Sequence, residues 1–250
     1  MRTSEFQGRV ALVTGGTRGI GESVVEQLAE RGAVVAAFYA TSDDRARQLS
    51  DRYRARGASV TFFKVSVDDA AAVTDAVDHI EQQLGPITYL VNNAGVIRDN
   101  WTALMTDEEW NAVFRVNFYG TAICAQTVVV RMAERGQGSI VNVVSVSGIK
   151  GRASQANYSA AKGAVIGLTR LLAQRYGPEG VRINAVAPGL VATDMMAATP
   201  TRAQRALLDQ THLKRPGTPE EIARLILSGL GDGAGYSSGA VWIADGGFLS

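Results

Sequence analysis

Thr14-Gly15-Gly16-Thr17-Arg18-Gly19-Ile20-Gly21 follows directly on the apolar run Val10-Ala11-Leu12-Val13 and leads into a stretch of helical spacing, Ile20 to Arg31. A strand, a glycine-rich turn and a helix start, in that order, aim backbone N–H groups and the positive end of a helix dipole at one point. Glycine there permits the close approach of an anionic pyrophosphate. The spacing is Gly-x3-Gly-x-Gly, which also suits a tight strand-to-helix turn with no ligand. What the turn belongs to is decided by the chain on either side of it.

Six more short β-branched runs follow: Val34 to Tyr39, Val60 to Val65, Tyr89 to Asn92, Ile140 to Val144, Val181 to Val186 and Ala240 to Ile243. Helical spacing covers Asp43 to Arg56, Asp69 to Leu84, Asp107 to Glu134, Ala156 to Tyr176 and Glu220 to Leu230 between them. Strands alternating with helices over the whole length predict a single α/β domain, residues 1–250, with a doubly wound, seven-stranded parallel sheet flanked by helices. Thr106 with Glu109, and Thr218 with Glu221, are capping boxes that mark two helix starts, and Pro219 suits the first helical position. The Asp and Arg residues alternating through Asp43 to Arg56 read as a solvated helix face. Gly229 to Gly239 reads as a loop before the last strand.

Composition excludes several classes. The chain has 46% hydrophobic and 20% charged residues, so it can bury a core, and its net charge of +1 gives no general attraction to nucleic acid or an anionic membrane. Its longest apolar stretch, Ala33 to Ala40, is too short to span a membrane. Met1 to Phe6 lacks a signal peptide's apolar segment, which makes the cytoplasm the expected location. Cys124 stands alone in Thr121-Ala122-Ile123-Cys124-Ala125, a setting for a buried structural thiol. His79 and His212 are far apart in sequence, with no metal-ligand spacing, and no metal is expected.

Phe38, Tyr39, Ala40, Thr41 and Ser42 close the second strand without an acid. An Asp or Glu there would bind the 2′-hydroxyl of NAD and repel the 2′-phosphate of NADP. Its absence, beside the cationic Arg18, favours NADP. The competing reading takes Asp43 as the ribose acid. Farther along, Tyr158 and Lys162 stand four apart on a helical segment, presenting a phenol and an ammonium on one face. A fixed positive charge lowers a phenol's pKa from its free value of about 10, so the pair is a candidate tuned acid. Ser145 lies at the carboxyl end of the fifth strand, where open α/β sheets assemble their sites.

With Asn92-Asn93-Ala94-Gly95, Asn117, Pro188-Gly189 and Asp245-Gly246-Gly247 added, the sequence resembles the short-chain dehydrogenase/reductase family over essentially its whole length. The resemblance implies a Rossmann-type fold and a catalytic tetrad of Asn117, Ser145, Tyr158 and Lys162. It places the cofactor on Gly15, Thr17, Arg18, Gly19, Ile20, Gly21, Ser42 and Asp68, the last against the adenine. Asn93, Ala94 and Gly95 would line the adenosine ribose side, and the backbone of Pro188 to Thr193 would hold the nicotinamide amide. Asn93 to Asn100, Asp107 to Trp110, Gln155 to Tyr158, Arg215 to Ala223 and Tyr236 to Gly247 look like 3-oxoacyl-(acyl-carrier-protein) reductases. That likeness implies NADPH-dependent reduction of a 3-oxoacyl thioester, carried on an acyl carrier protein in a fatty-acid or polyketide pathway. Where carrier-docking members have a basic pair, this chain has Gly136 and Glu179, with Arg135, Arg182 or the Lys150/Arg152 loop left to substitute. The resemblance further implies a homotetramer, with Ala160, Ala161, Gly163, Ala164 and Gly167 allowing close helix contact, and a substrate lid at residues 195–214. The alternatives are a dehydrogenase of a small alcohol, sugar or steroid, and a non-catalytic NADP-binding assembly protein.

Overall fold

The computed structural model describes residues 5–197 and 201–250. Met1 to Ser4, on which the N-terminal reading rests, and residues 198–200 of the expected lid lie outside the described residues. In chain order the elements are β1 (Val10–Thr14), α1 (Gly19–Glu30), β2 (Val34–Tyr39), α2 (Asp43–Ala55), β3 (Val60–Lys64), α3 (Ala70–Leu84), β4 (Ile87–Asn92), α4 (Asp107–Phe114), a π-helical segment (Arg115–Gly120), α5 (Thr121–Glu134), β5 (Gly138–Val143), α6 (Ser147–Lys150), α7 (Ala156–Tyr176), β6 (Val181–Pro188), α8 (Asp194–Ala197), α9 (Thr201–Leu208), α10 (Pro219–Leu230) and β7 (Val241–Ala244).

The strands form one parallel sheet in the order β3-β2-β1-β4-β5-β6-β7. Alternation along β1 shows how both faces are covered. Ala11 and Val13 pack toward Val24, Leu28, Ile226 and Leu227 of α1 and α10, whereas Val10 and Leu12 pack toward Val77, Ile80, Val128 and Met132 of α3 and α5. Cys124 lies in this second layer, fully buried, and burial pushes its thiol up to about 12. After β3 the chain returns to the other side of β1, so β1 and β4 are neighbours whose connections leave in opposite directions. Such a switch point opens a crevice at the carboxyl ends of the strands.

Both capping boxes are formed, and Pro219 occupies the first turn of α10 as expected. Asp107 to Glu134 is not the regular helix its spacing predicts. Its middle widens into the π segment, with one hydrogen-bonding step more per turn. By length and apolarity this run would pass for a membrane span, yet 44% of its apolar window is buried, mainly where α5 packs over β4 and β5.

A polar ladder ties α7 to the sheet beneath it. Asn92 Nδ2 donates to Asn142 Oδ1 at 2.9 Å, Asn142 Nδ2 to Thr169 Oγ1 at 2.9 Å, and Thr169 Oγ1 to the Val165 carbonyl at 2.8 Å, all buried. Replacing Asn142 by Leu removes both partners at once and strands the Asn92 amide in apolar surroundings. We expect Asn142→Leu to lower unfolding free energy by about 1–3 kcal/mol in urea titrations; a loss below about 0.5 kcal/mol, the level of an ordinary surface change, would show that the ladder does not constrain α7.

Candidate active site

At the mouth of the switch point, Thr14 and Asn93 stitch β1 to β4. Thr14 Oγ1 accepts from the backbone N–H groups of Asn93 and Ala94, each at 3.0 Å, and Asn93 Nδ2 donates to the carbonyls of Thr14 and Gly15 at 3.0 and 3.1 Å. The glycine turn can then fold tightly over this seam. Gly15 has φ +67° and Gly19 φ +54°, and a Cβ on Gly21 would lie 2.1 Å from the Gly15 carbonyl oxygen. Arg18, the N-cap of α1, supplies no side-chain cap, which leaves the first-turn N–H groups open to an external acceptor.

A cavity of about 780 Å³ runs from this turn along the carboxyl edge of the sheet to Phe248. Gly15, Thr17, Arg18, Gly19, Ile20 and Ser42 line it, as do Asn93, Ala94 and Gly95. Gly21 serves the turn from behind and is not in the wall. The Asp68 carboxylate, next to the lining residues Ser66 and Val67, accepts from Ser66 and pairs with Arg115 at 2.9 Å. The Ser66 bond and the Arg115 charge hold it below the usual carboxylate range, against burial. Asp43 is also engaged, paired with Lys64 at 2.7 Å and hydrogen-bonded to the Tyr39 phenol. Glu22 is held by Arg45 at 2.8 Å and Arg52 at 3.3 Å. Among the described residues, then, no unengaged carboxylate lines this end, whereas Arg18 is exposed there and forms no ion pair. These residues fit a dinucleotide whose adenosine ribose bears a phosphate.

Halfway along, Ser145, Tyr158 and Lys162 line the wall together. Ser145 stands just past β5, and Tyr158 and Lys162 occupy successive turns of α7. The Tyr158 ring is buried against Val113, Phe114, Phe118 and Ile97. Burial pushes its phenol up to about 12, with the Asp99 charge adding and the Ser145 hydrogen bond and Arg152 charge opposing. Lys162 Nζ lies 5.7 Å from the Tyr158 ring centroid and donates to the Val143 carbonyl at 2.8 Å. Burial lowers its ammonium to about 8. The phenol is therefore raised, not lowered as expected: burial is the dominant cause, and it acts on Lys162 as well. Asn117 sits in the π segment, behind the wall. Its Nδ2 donates to the carbonyls of Val96 and Val113 at 2.8 and 2.9 Å, and its buried Oδ1 accepts nothing from the described residues. Gly95 keeps the gap open: a Cβ there would lie 2.7 Å from Asn117 Oδ1 and 3.7 Å from Lys162 Nζ.

The short chain dehydrogenase family profile matches residues 9–204. The chain belongs to the short-chain dehydrogenase family. As a short-chain dehydrogenase it is an oxidoreductase acting on CH–OH and C=O groups with a nicotinamide cofactor. It is 39% identical over 240 residues to an acetoacetyl-CoA reductase of Rhizobium meliloti, covering 96% of this chain and 98% of that protein. It is 39% identical over 242 residues to the 3-oxoacyl-(acyl-carrier-protein) reductase FabG of Pseudomonas aeruginosa, covering 97% and 98%. A solved structure of a putative gluconate dehydrogenase from Agrobacterium tumefaciens superposes with a TM-score of 0.94 at 30% identity, covering 98% of both chains.

Several contacts around the cavity of this dehydrogenase could not be read from the sequence. Phe248 reaches the cavity because Gly246 and Gly247, both at positive φ, turn the chain end inward. Gln155 is buried, donating to both Asp99 carboxylate oxygens at 3.1 and 3.0 Å and accepting from Ser147 Oγ at 3.1 Å. Asn157 Oδ1 accepts from the Tyr158 N–H at 2.7 Å, while its Nδ2 donates to the Arg98 and Glu109 carbonyls. Two of the cations expected to replace a carrier-docking pair, Arg135 and Arg182, are tied up. Arg135 bonds Glu81 and the Ile87 carbonyl, each at 3.0 Å. Arg182 is spent on the carbonyls of Gly229, Leu230, Gly231 and Ala234. His79 meets Phe63 edge to face, and the described residues hold no group of three or more metal-ligating side chains.

Arg18→Ala should raise the Kd for NADPH by about tenfold or more, the scale of a lost charge-assisted phosphate contact, and leave NADH within about threefold. Fluorescence titration of both cofactors checks it; equal losses would mean that Arg18 does not meet the 2′-phosphate.

Proposed function

We propose that the protein is an NADPH-dependent ketoreductase that converts a 3-oxoacyl thioester to the 3-hydroxyacyl thioester. The observation that carries this reading is the joint placement of Ser145, Tyr158 and Lys162 in one wall of a cavity whose other end has an exposed Arg18 and no unengaged acid. The two thioester reductases among its relatives support the substrate class.

When bound, NADPH supplies the hydride for the carbonyl carbon. Tyr158, kept protonated through the neutral range by burial, gives its proton to the carbonyl oxygen as negative charge develops there. Ser145 holds that oxygen by a hydrogen bond and keeps the Tyr158 hydroxyl aligned. Lys162 holds the nicotinamide ribose and places a positive charge behind the phenolate that forms. Asn117 Oδ1 accepts a hydrogen bond from a water in the gap beside Gly95, through which the proton returns by way of Lys162. The backbone of Pro188 to Thr193 holds the nicotinamide amide, while residues 195–197 and 201–214 cover the substrate, with Met195, Met196, Gln204 and Leu207 facing it.

We place the enzyme in a homotetramer. Tyr119, Val130 and Leu171 expose apolar side chains around α5 and α7, Gly167 has open space above it, and Ile243 is exposed on the edge strand β7. A sugar-acid dehydrogenase is the second reading, favoured by the close superposition on the putative gluconate dehydrogenase. NADPH oxidation with a 3-oxoacyl N-acetylcysteamine thioester, set against oxidation of gluconate with NADP, separates the two.

Tyr158→Phe should cut kcat by at least about 10²-fold, the scale of a lost general acid, with NADPH affinity nearly unchanged. Activity within tenfold of wild type would refute the assignment of the proton donor.

The pH profile follows from Lys162. Its ammonium is the working form, and burial brings its deprotonation from 10.5 down to about 8. We expect kcat/KM for ketone reduction to fall as pH rises through about 8, and a profile flat to pH 10 would remove Lys162 from this role.

A further inference from the structure

On the proposed ketoreductase reading Ser145 holds the substrate oxygen, so its hydroxyl hydrogen has to point into the cavity. That direction is set from behind. The Ser147 N–H donates to Ser145 Oγ at 3.1 Å, and the Ser147 hydroxyl donates to Gln155 Oε1 at 3.1 Å. Gln155 Nε2 donates in turn to both carboxylate oxygens of Asp99, at 3.1 and 3.0 Å. A continuous run of hydrogen bonds thus leads from a carboxylate to the hydroxyl beside the proton donor.

The polarity of this run has one solution. A carboxylate only accepts, so the Gln155 amide turns its Nε2 toward Asp99 and its Oε1 away. Oε1 carries no hydrogen, which makes the Ser147 hydroxyl the donor in that contact. Ser145 Oγ takes the Ser147 N–H on one lone pair and keeps its own hydrogen for an acceptor in the cavity, whose wall it shares with Tyr158.

Gln155 occupies a place that a capping residue would fill better. It is the N-cap of α7, where Ser, Thr, Asp or Asn would close the helix end, yet its side chain makes no cap. Instead the side chain turns inward and is buried, as is Ser147. Tyr158 stands in the first turn of the same helix, so the Gln155 backbone starts the element that carries the proton donor while its side chain steers the partner hydroxyl. A second point seats α6 on α7: a Cβ on Gly148 would lie 2.8 Å from the Lys162 carbonyl carbon. Asp99 is kept within reach because the Asn100 N–H donates to the Ser154 carbonyl at 2.9 Å, fastening the two loops together.

We propose that Gln155, oriented by Asp99, is a positioning residue for the reaction: through Ser147 it holds the Ser145 hydroxyl as a hydrogen-bond donor toward the substrate oxygen. Its own amide is engaged at both ends, so it acts through Ser145 and not on the substrate.

The test measures NADPH oxidation with the 3-oxoacyl N-acetylcysteamine thioester, NADPH affinity and thermal melting for Gln155→Leu, Ser147→Ala, Gln155→Glu and the double variant Asp99→Asn/Gln155→Glu. Gln155→Leu should lower kcat about tenfold to a hundredfold, the scale of a misaligned reacting group, with KM and the NADPH Kd within about threefold of wild type. Ser147→Ala removes one hydroxyl and little packing, and should lower kcat about threefold to tenfold. Gln155→Glu sets two carboxylates face to face and should be as slow as Gln155→Leu. Adding Asp99→Asn lets the new amide donate to the new carboxylate, which still accepts from the Ser147 hydroxyl, so the double variant should return to within about fivefold of the wild-type kcat. A kcat within about twofold of wild type in either Gln155→Leu or Ser147→Ala overturns the positioning role. So does a double variant that melts like wild type yet stays as slow as Gln155→Glu, and so does a loss in which KM and the NADPH Kd worsen as much as kcat. If wild type oxidises gluconate with NADP and leaves the thioester untouched, the ketoreductase reading alone fails, and the same kcat pattern is expected with gluconate. Turnover of neither substrate overturns both.

Discussion

The seam between β1 and β4 is the constraint on which the rest depends. Chain connections leave these two neighbours in opposite directions, so no crossover helix bridges their ends, and beyond their backbone ladder side chains fasten them. Thr14 and Asn93 do so with four hydrogen bonds, two into the Thr14 hydroxyl and two from the Asn93 amide. A hydroxyl accepting two N–H groups and an amide spanning two carbonyls leave little freedom for the glycine turn above. The turn in turn sets the direction in which α1 starts and where its open N–H groups point.

Farther along the cavity, chemistry is set by competition between burial and charge. Packing against Val113, Phe114 and Phe118 removes Tyr158 from water, which favours the neutral phenol. Lys162 suffers the same desolvation, and its anchor is a carbonyl rather than a carboxylate. A carboxylate at that position would have fixed the ammonium permanently; a carbonyl leaves its proton exchangeable near neutrality. The site thus holds one proton firmly on Tyr158 and one loosely on Lys162, an asymmetry suited to donation followed by resupply.

Much of this was legible beforehand. The strands are short β-branched runs that need burial on both sides, and their residue types say so without reference to neighbours. Thr106 with Glu109 and Thr218 with Glu221 are local, because a capping box is closed within one helical turn. Tyr158 and Lys162 share a face by spacing alone, and their proximity to Ser145 follows from strand-end placement. What escaped depends on partners distant in sequence. Asp68 is claimed by Arg115, and Arg182 by carbonyls at the end of α10. Asp43, readable as a ribose acid, is taken by Lys64 from the neighbouring strand. The π segment also left no trace, since one added step in Arg115 to Gly120 does not break an apolar pattern that is already nearly continuous.

That wide turn lets one helical rod serve two masters. Each residue advances an α-helix by about 100°, so a single extra residue rotates everything after it relative to everything before. Upstream, the phase of α4 is dictated by Val113 and Phe114 packing on the Tyr158 ring. Downstream, the phase of α5 is dictated by Val128 and Met132 on the sheet and by the outward face bearing Val130. A regular helix could satisfy only one of these registrations. Deletion of one residue between 115 and 120 would restore ordinary winding and swing the outer face of α5 away from its neighbours, so the segment behaves as a gearing element whose residue count, more than its composition, is under constraint.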